Sequence, residues 1–279
     1  MGERDDGTLV RDTAAMWLTV LALAGTGLVA GMFGAMLGLG GGIFLVPALT
    51  LLFGLPMRVA VGASLIGVIA TSAAVASVSR PGRSADVNLA LRLEIASTFG
   101  ALLGGLLAGR LSSQMLALLF AALTLGAALY TYLKARRRGG AVSIEAGEAL
   151  FRTDYRPRHW PAGLGLMGLA GALSGLTGTG GGFIKVPVMY SLMDVPLGVA
   201  TASSNFMVGI TAAASALLYF NRGDIYPLVA VPTALGVFVG ALAGVRLAAR
   251  LRVEALRKML VILLVLVALQ MAWKGLRGG

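Results

Sequence analysis

The chain has 279 residues, 57% of them hydrophobic and only 13% charged, whereas soluble domains carry about 25% charged residues. Its net charge of +11 comes from arginines and lysines bunched at the ends of apolar segments, where positive charge orients membrane helices. No nucleic-acid-binding signature accompanies these cations, so the expected environment is a lipid bilayer and nucleic acid is not an expected partner. With no cysteine and one histidine, thiolate metal sites and Cys/His nucleophiles are excluded. No G-x-x-x-x-G-K-[ST] spacing marks a nucleotide site, so neither an enzyme nor a cofactor is expected.

In chain order, an acidic tail over 1–13 precedes a first apolar segment at 14–37. That segment follows acidic rather than basic residues and runs into a glycine motif that recurs later, so a cleaved signal peptide is not expected. A short apolar stretch follows at 43–55, then longer ones at 57–79, 88–109 and 114–134. A basic linker over 135–161 comes next. Then the series repeats at 162–177, 183–195, 197–220, 225–245 and 254–275, ending in a tail over 276–279. As helices the longer segments reach across roughly 30 Å of hydrocarbon, whereas 43–55 and 183–195 reach only about 20 Å. These two are predicted to be discontinuous or re-entrant.

The repetition is visible in the residues. Ala30-Gly-Met-Phe-Gly-Ala-Met-Leu-Gly-Leu-Gly-Gly-Gly42 realigns 140 residues later with Ala170-Gly-Ala-Leu-Ser-Gly-Leu-Thr-Gly-Thr-Gly-Gly-Gly182. The register continues through Val46-Pro47 and Val186-Pro187, Pro56 and Pro196, and Ser64 and Ser204. Further on, Gly104–Leu111 matches Gly240–Leu247 after a shift of a few residues. The prediction is an all-α, polytopic bundle of two membrane repeats, 14–134 and 162–275, crossing 8–10 times. Five passes per copy make the copies inverted.

Charge agrees with inversion. With the linker cytoplasmic, fifteen of the 23 cations face inward. They are seven of the linker region (Lys134, Arg136, Arg137, Arg138, Arg152, Arg156, Arg158), Arg80, Arg83 and Arg92, and Arg246, Arg250, Arg252, Arg257 and Lys258. The positive-inside rule favours that arrangement. An eight-pass count, with the short stretches only dipping in, gives parallel copies instead.

The chemistry concentrates at Gly178-Thr-Gly-Gly-Gly-Phe-Ile-Lys185-Val-Pro187. Glycines release the backbone from helix, and a broken-helix end at the membrane midplane attracts anions. Gly180, Gly181 and Gly182, matched by Gly40, Gly41 and Gly42, are therefore candidate substrate contacts. Lys185 stands where the first copy has Leu45; a lysine in an apolar segment must pair, snorkel or face water. It is the expected counter-charge for an anion, with snorkelling the bland alternative. Thr201, Ser204 and Asn205, and Ser64 in the first copy, offer hydroxyl and amide groups that suit an oxyanion or glue helices together. Glu94 is either a proton carrier or a partner of Arg92 at the membrane edge. Asp194 and Asp224 read as turn or interface residues, and His159 as a surface residue. The expectation is a carrier for a small anion, alone or as a homo-oligomer. A passive anion channel and a non-transporting membrane scaffold are the rivals.

The paired stretches Gly38-Leu-Gly-Gly-Gly…Val46-Pro47 and Gly178-Thr-Gly-Gly-Gly-Phe-Ile-Lys-Val-Pro187 resemble the sulfite exporter TauE/SafE family. Ala200-Thr-Ala-Ser-Ser-Asn-Phe-Met and Arg222-Gly-Asp-Ile are similar to one bacterial branch of it. The resemblance spans roughly 25–275. It implies an inner-membrane permease for sulfite, organosulfonates or related sulfur-containing anions, often acting in export. Leu45 departs from the lysine of the second copy.

Overall fold

The computed structural model describes residues 6–78, 85–137, 155–248, 262 and 265–275. Among them the protein is all α, with no strand. The helices are α1 (Asp6–Leu37), α2 (Gly42–Leu52), α3 (Met57–Val78), α4 (Val87–Ala108) and α5 (Ser113–Arg137). The second series is α6 (Trp160–Thr177), α7 (Gly182–Pro187) with a π-helical turn at Val188–Leu192, α8 (Leu197–Asn221) and α9 (Pro227–Ala248). A last helix, α10, covers 265–275. The start of the predicted 254–275 helix and most of the linker lie outside the described residues, as do Arg80, Arg83, Arg250, Arg252, Arg257 and Lys258.

Five of the described helices are long and apolar enough to cross a bilayer: Met16–Met36, Met57–Val78, Val87–Ala108, Gly198–Asn221 and Pro227–Leu247. Their outward faces carry Leu21, Phe99, Leu103, Phe220, Leu228 and Leu235, all more than half exposed. Large apolar patches of this kind are rare on soluble monomers and are what hydrocarbon would cover. This is a multi-pass membrane protein.

Glycine decides which helices pair. Gly236, Gly240 and Gly244 of α9 press against the carbonyls of Ala24, Leu28 and Met32 in α1. Gly100 and Gly104 of α4 do the same to the carbonyls of Gly168 and Ala172 in α6. No side chain fits between these backbones, the close approach that small residues permit in membranes. Each half therefore lends its first helix to the fourth helix of the other half.

These contacts also fix the register. α9 starts 140 residues after α4, as α7 follows α2 and α8 follows α3. The Gly100–Gly168 and Gly104–Ala172 contacts correspond to Gly240–Leu28 and Gly244–Met32 at the same spacing. The sequence match of Gly104–Leu111 to Gly240–Leu247 is therefore one helical turn out. A stripe with glycine at every fourth position matches itself when slid by a turn, because 3.6 residues complete each turn.

Contacts give the helix directions too. Gly62, near the start of α3, lies against the Asp224 carbonyl just beyond the end of α8, while Ser72 further along α3 donates to the Asn205 carbonyl (2.7 Å). So α3 and α8 are antiparallel. At the other end of the bundle the Asp86 N–H, which precedes α4, donates to Ser203 Oγ near the start of α8 (3.0 Å). Arg158 N–H donates to the Met193 carbonyl (3.2 Å), and His159 Nδ1 lies 3.0 Å from the Leu192 carbonyl. The residues entering α6 thus meet those leaving the π turn. α6 and α7 form a hairpin folded at the glycine run, with both outer ends on the linker side. Pro187 cannot donate to the carbonyl one turn back, but Pro47 stands at the same place in α2, which stays α-helical to Leu52, so proline alone does not account for the π turn. The next turn widens until Met193 N–H reaches the Val188 carbonyl (3.1 Å).

Candidate functional site

Both glycine runs fold as breaks. Gly38, Gly40 and Gly41, and Gly178, Gly180 and Gly181, all have φ between 69° and 79°, a region open to glycine and costly for other residues. α2 and α7 restart at Gly42 and Gly182. The breaks touch each other at the centre of the bundle. Gly42 lies against the Gly178 carbonyl and Thr179, and Gly182 against the Gly38 carbonyl and Leu39. Gly40 and Gly180 both rest on Val68 and Val208. The six glycines singled out in the sequence are therefore brought together.

The surrounding polar groups differ in their employment. Ser64 Oγ donates to the Gly178 carbonyl (2.9 Å), so it ties the two halves together. Thr201 places its methyl beside Gly38. Ser204 Oγ and Asn205 Oδ1, by contrast, are buried with no hydrogen-bond partner among the described residues. Most buried polar atoms in folded proteins are paired, so the Ser204 hydroxyl and the acceptor-only Asn205 amide oxygen stand out as unpaired.

Lys185 lies one turn beyond the second break and is fully buried. It does not snorkel. Its ammonium donates to Glu94 Oε2 of α4 at 3.0 Å, and Glu94 is 3% exposed. Thr211 Oγ1 of α8 accepts from the Lys185 ammonium and donates to Glu94 Oε1. Ser97 Oγ stands 3.1 Å from the same hydroxyl, and Thr98 Oγ1 donates to Glu94 Oε1 (3.3 Å). A buried pair survives only when its remaining lone pairs and protons are hydrogen-bonded, and this one is held from α4, α7 and α8. Arg92, two residues before Glu94 in sequence, points instead at the ring of Trp160, 5.9 Å from its centroid. Among the described residues no group of three or more His, Cys, Asp or Glu is placed to hold a metal.

The sequence model of the sulfite exporter TauE/SafE family matches residues 23–271. The chain belongs to that family. It is also similar to a "Probable membrane transporter protein YunE" of Bacillus subtilis (strain 168), with 26% identity over 274 residues, 93% of this chain and 99% of the relative. No solved structure matches it. A family whose model covers both repeats, a relative matched from end to end and five bilayer-length helices make the protein a membrane transporter.

Within this TauE/SafE protein the remaining predicted residues fall as follows. Asp194 has φ 57° and sits 3.8 Å from Arg158. Asp224 accepts from Arg222 Nε (3.0 Å), and Arg222 also donates to the Gly105 carbonyl (2.6 Å). Both serve turns, as their positions suggested. His159 is exposed at the hairpin mouth, a surface residue as its position suggested, with Nδ1 close to the Leu192 carbonyl. Sequence reasoning missed Thr211 and Ser97, which read as ordinary polar groups in apolar helices, and it did not pair Lys185 with Glu94. A signal existed. At the 140-residue spacing Lys185 answers to Leu45 and Glu94 to Ala234, so both charges are absent from the other copy together. The one-turn error in the α4/α9 register hid the comparison. An open cleft of about 530 Å³ between α5, α6 and α7 is apolar apart from Ser191, and none of these residues lines it.

Proposed function

We propose that this protein is a secondary transporter that exports small sulfur-containing anions, such as sulfite or organosulfonates, across the bacterial inner membrane with its linker cytoplasmic. The chain carries no nucleotide-binding motif, so net flux draws on an electrochemical gradient. In this reading residues 14–134 and 162–275 are inverted repeats, supported by the antiparallel run of α3 and α8. The short helices α2 and α7 are discontinuous or re-entrant passes. The anion sits where the two breaks meet, with the Ser204 hydroxyl and the Asn205 side-chain N–H group donating to it and Lys185 as its counter-charge. Rocking of the repeats about that point gives alternating access.

The observation that carries the proposal is Lys185, a cation with no solvent exposure one turn from a helix break in a transporter family. A charge at such depth is costly and marks a substrate or ion pathway. Flux of sulfite and a sulfonate panel into proteoliposomes is the test. Wild-type protein should move at least one of these anions, and Lys185→Ala, eluting as a folded species, should not. Unimpaired flux in Lys185→Ala removes the lysine from the site. Absence of flux for every anion tested removes the sulfur-anion assignment.

A further inference from the structure

The proposed anion site holds its cation already occupied. Glu94 Oε2 stands 3.0 Å from the Lys185 ammonium, the position an oxygen of a bound anion would take. Resting on the reading above, we infer that Glu94 is a proton-operated competitor for Lys185, and that one proton crosses the membrane with each monoanion, so that export runs only while the outward anion gradient exceeds the inward proton gradient.

The charges add up in only two ways that hydrocarbon tolerates. Empty, the site holds an ammonium and a carboxylate and is neutral. Loaded, a proton converts the Glu94 carboxylate to a carboxylic acid, the Lys185 N–H···O⁻ contact passes from Glu94 to the anion, and the site is neutral again. An anion without the proton leaves a net negative charge, and a proton without the anion leaves a net positive one. Each half-loaded state exposes the interior to an uncompensated buried charge, the costly case for ion pairs. Only the empty and doubly loaded carriers cross readily, which is what couples the two fluxes.

The surroundings suit the exchange. Thr211 touches both partners and Thr98 touches Glu94, so hydroxyls that now donate to the carboxylate are in place to accept from the acid. No other described charge intrudes. α6 carries no ionisable residue over Trp160–Thr177, and α8 none before Tyr219. Tyr219 is turned to the Gly175 carbonyl (3.1 Å) and lies under Arg222 at the far end of the bundle. On α4, Arg92 faces Trp160, and Asp86 caps the helix and accepts from Tyr155. On the α7 side Lys185 is the only charge, and Tyr190 of the π turn is engaged in contacts of its own.

The pair is not required by the architecture. In the matching place of the other half, Leu45, Ala234 and Val237 stand for Lys185, Glu94 and Ser97. Thr71 stands for Thr211 and returns its hydroxyl to its own Gly67 carbonyl (3.1 Å). The same fold closes there with aliphatic groups.

The test uses the full-length protein and methanesulfonate, the anion of a strong acid, so that any pH dependence belongs to the protein. In proteoliposomes with voltage clamped at zero, an outside-acid gradient should drive accumulation inside, about ten-fold per pH unit at equilibrium for one proton per anion. An imposed voltage at equal pH should drive none. Binding, read as the rise in melting temperature with methanesulfonate, should strengthen as pH falls in wild type and become independent of pH in Glu94→Gln. If voltage alone drives accumulation in wild type, the inference is overturned, and this arm stands even if Glu94→Gln does not fold. Wild-type transport with the same pH dependence of binding in Glu94→Gln overturns the inference and leaves the transporter. No binding or flux of methanesulfonate, sulfite or the sulfonate panel overturns the sulfur-anion reading and the inference with it.

Discussion

The two halves of this protein solve one packing problem and differ at one place. Around each break the same helices meet at the same spacing: α1 on α9 and α6 on α4, glycine to carbonyl. In the first half the space beyond the break is filled by Leu45, whose methyl reaches Gly67 alongside Val237. In the second half it is filled by Lys185, Glu94, Thr211 and Ser97. Aliphatic packing is sufficient for the fold, so the charged version is there for something else. It also lies on the linker side of the breaks, since it joins α7 and the first half of α4. The two routes to the centre are thus chemically unequal.

The most severe way to break the comparison is to remove one charge and leave the other. Glu94→Ala strands a buried ammonium, and a broken buried pair costs about 3–5 kcal/mol. Thermal melting in detergent should show a large loss of stability. The double variant Lys185→Leu with Glu94→Ala installs the residues of the first half. It should melt close to wild type while anion flux disappears. A double variant as unstable as Glu94→Ala would show that the second half needs the pair to fold.

Next in size is the shared packing. Gly100→Leu and Gly240→Leu force a side chain against the carbonyls of Gly168 and Leu28, and overpacking typically costs about 1–3 kcal/mol, more where backbone must move. Both should lower the melting temperature by similar amounts, because the two contacts are equivalent. Gly126→Leu, with open space around its Cβ direction, should leave it unchanged. Unequal effects at Gly100 and Gly240 would argue against equivalence of the two helix pairs.

Much of this was legible in the residues. Segment lengths and glycine breaks located α2 and α7 within a few residues, because 3–4 consecutive small residues cannot be mistaken for an uninterrupted membrane helix. Lys185 stood out since its twin is Leu45. What could not be read was partnership across distance. Glu94 lies 91 residues from Lys185, with a nearer arginine in sequence, and only the α4–α6 packing turns Glu94 inward and Arg92 out. The choice between a discontinuous pass and a re-entrant return of α7 to the mouth of α6 stays open in the sequence. It depends on how far the chain rises before Gly178, which hydropathy does not measure.

Thr211 and Thr71 sharpen the contrast at a finer scale. Thr211→Val removes a hydroxyl that serves both charges, and an unsatisfied buried group costs about 1–3 kcal/mol. Thr71→Val removes a hydroxyl that only doubles back to Gly67, a carbonyl already within its own helix, and should cost well under half as much. Melting curves of the two valine variants decide it. Equal losses would mean that the Thr211 hydroxyl adds nothing to the ion pair beyond a helical back-bond.

The smallest expected effect lies at the hairpin mouth, where only the second half has a linker to fasten. Tyr155 Oη donates to Asp86 Oδ2 at 2.6 Å, while Asp86 Oδ1 caps α4 by accepting from Leu89 N–H (2.9 Å). Burial, then the hydrogen bond and charge of Asp86, raise the Tyr155 pKa above its ordinary 10.0. With the folded value raised, the neutral phenol's contribution is fully present below pH 10 and is lost only as pH climbs beyond it. Tyr155→Phe should therefore cost about 1 kcal/mol, uniformly from acid to neutral pH. Asp86→Ala should cost more, because the helix cap goes with it. A Tyr155→Phe penalty as large as that of Asp86→Ala would show that the phenol, rather than the helix cap, holds the mouth of the second half together.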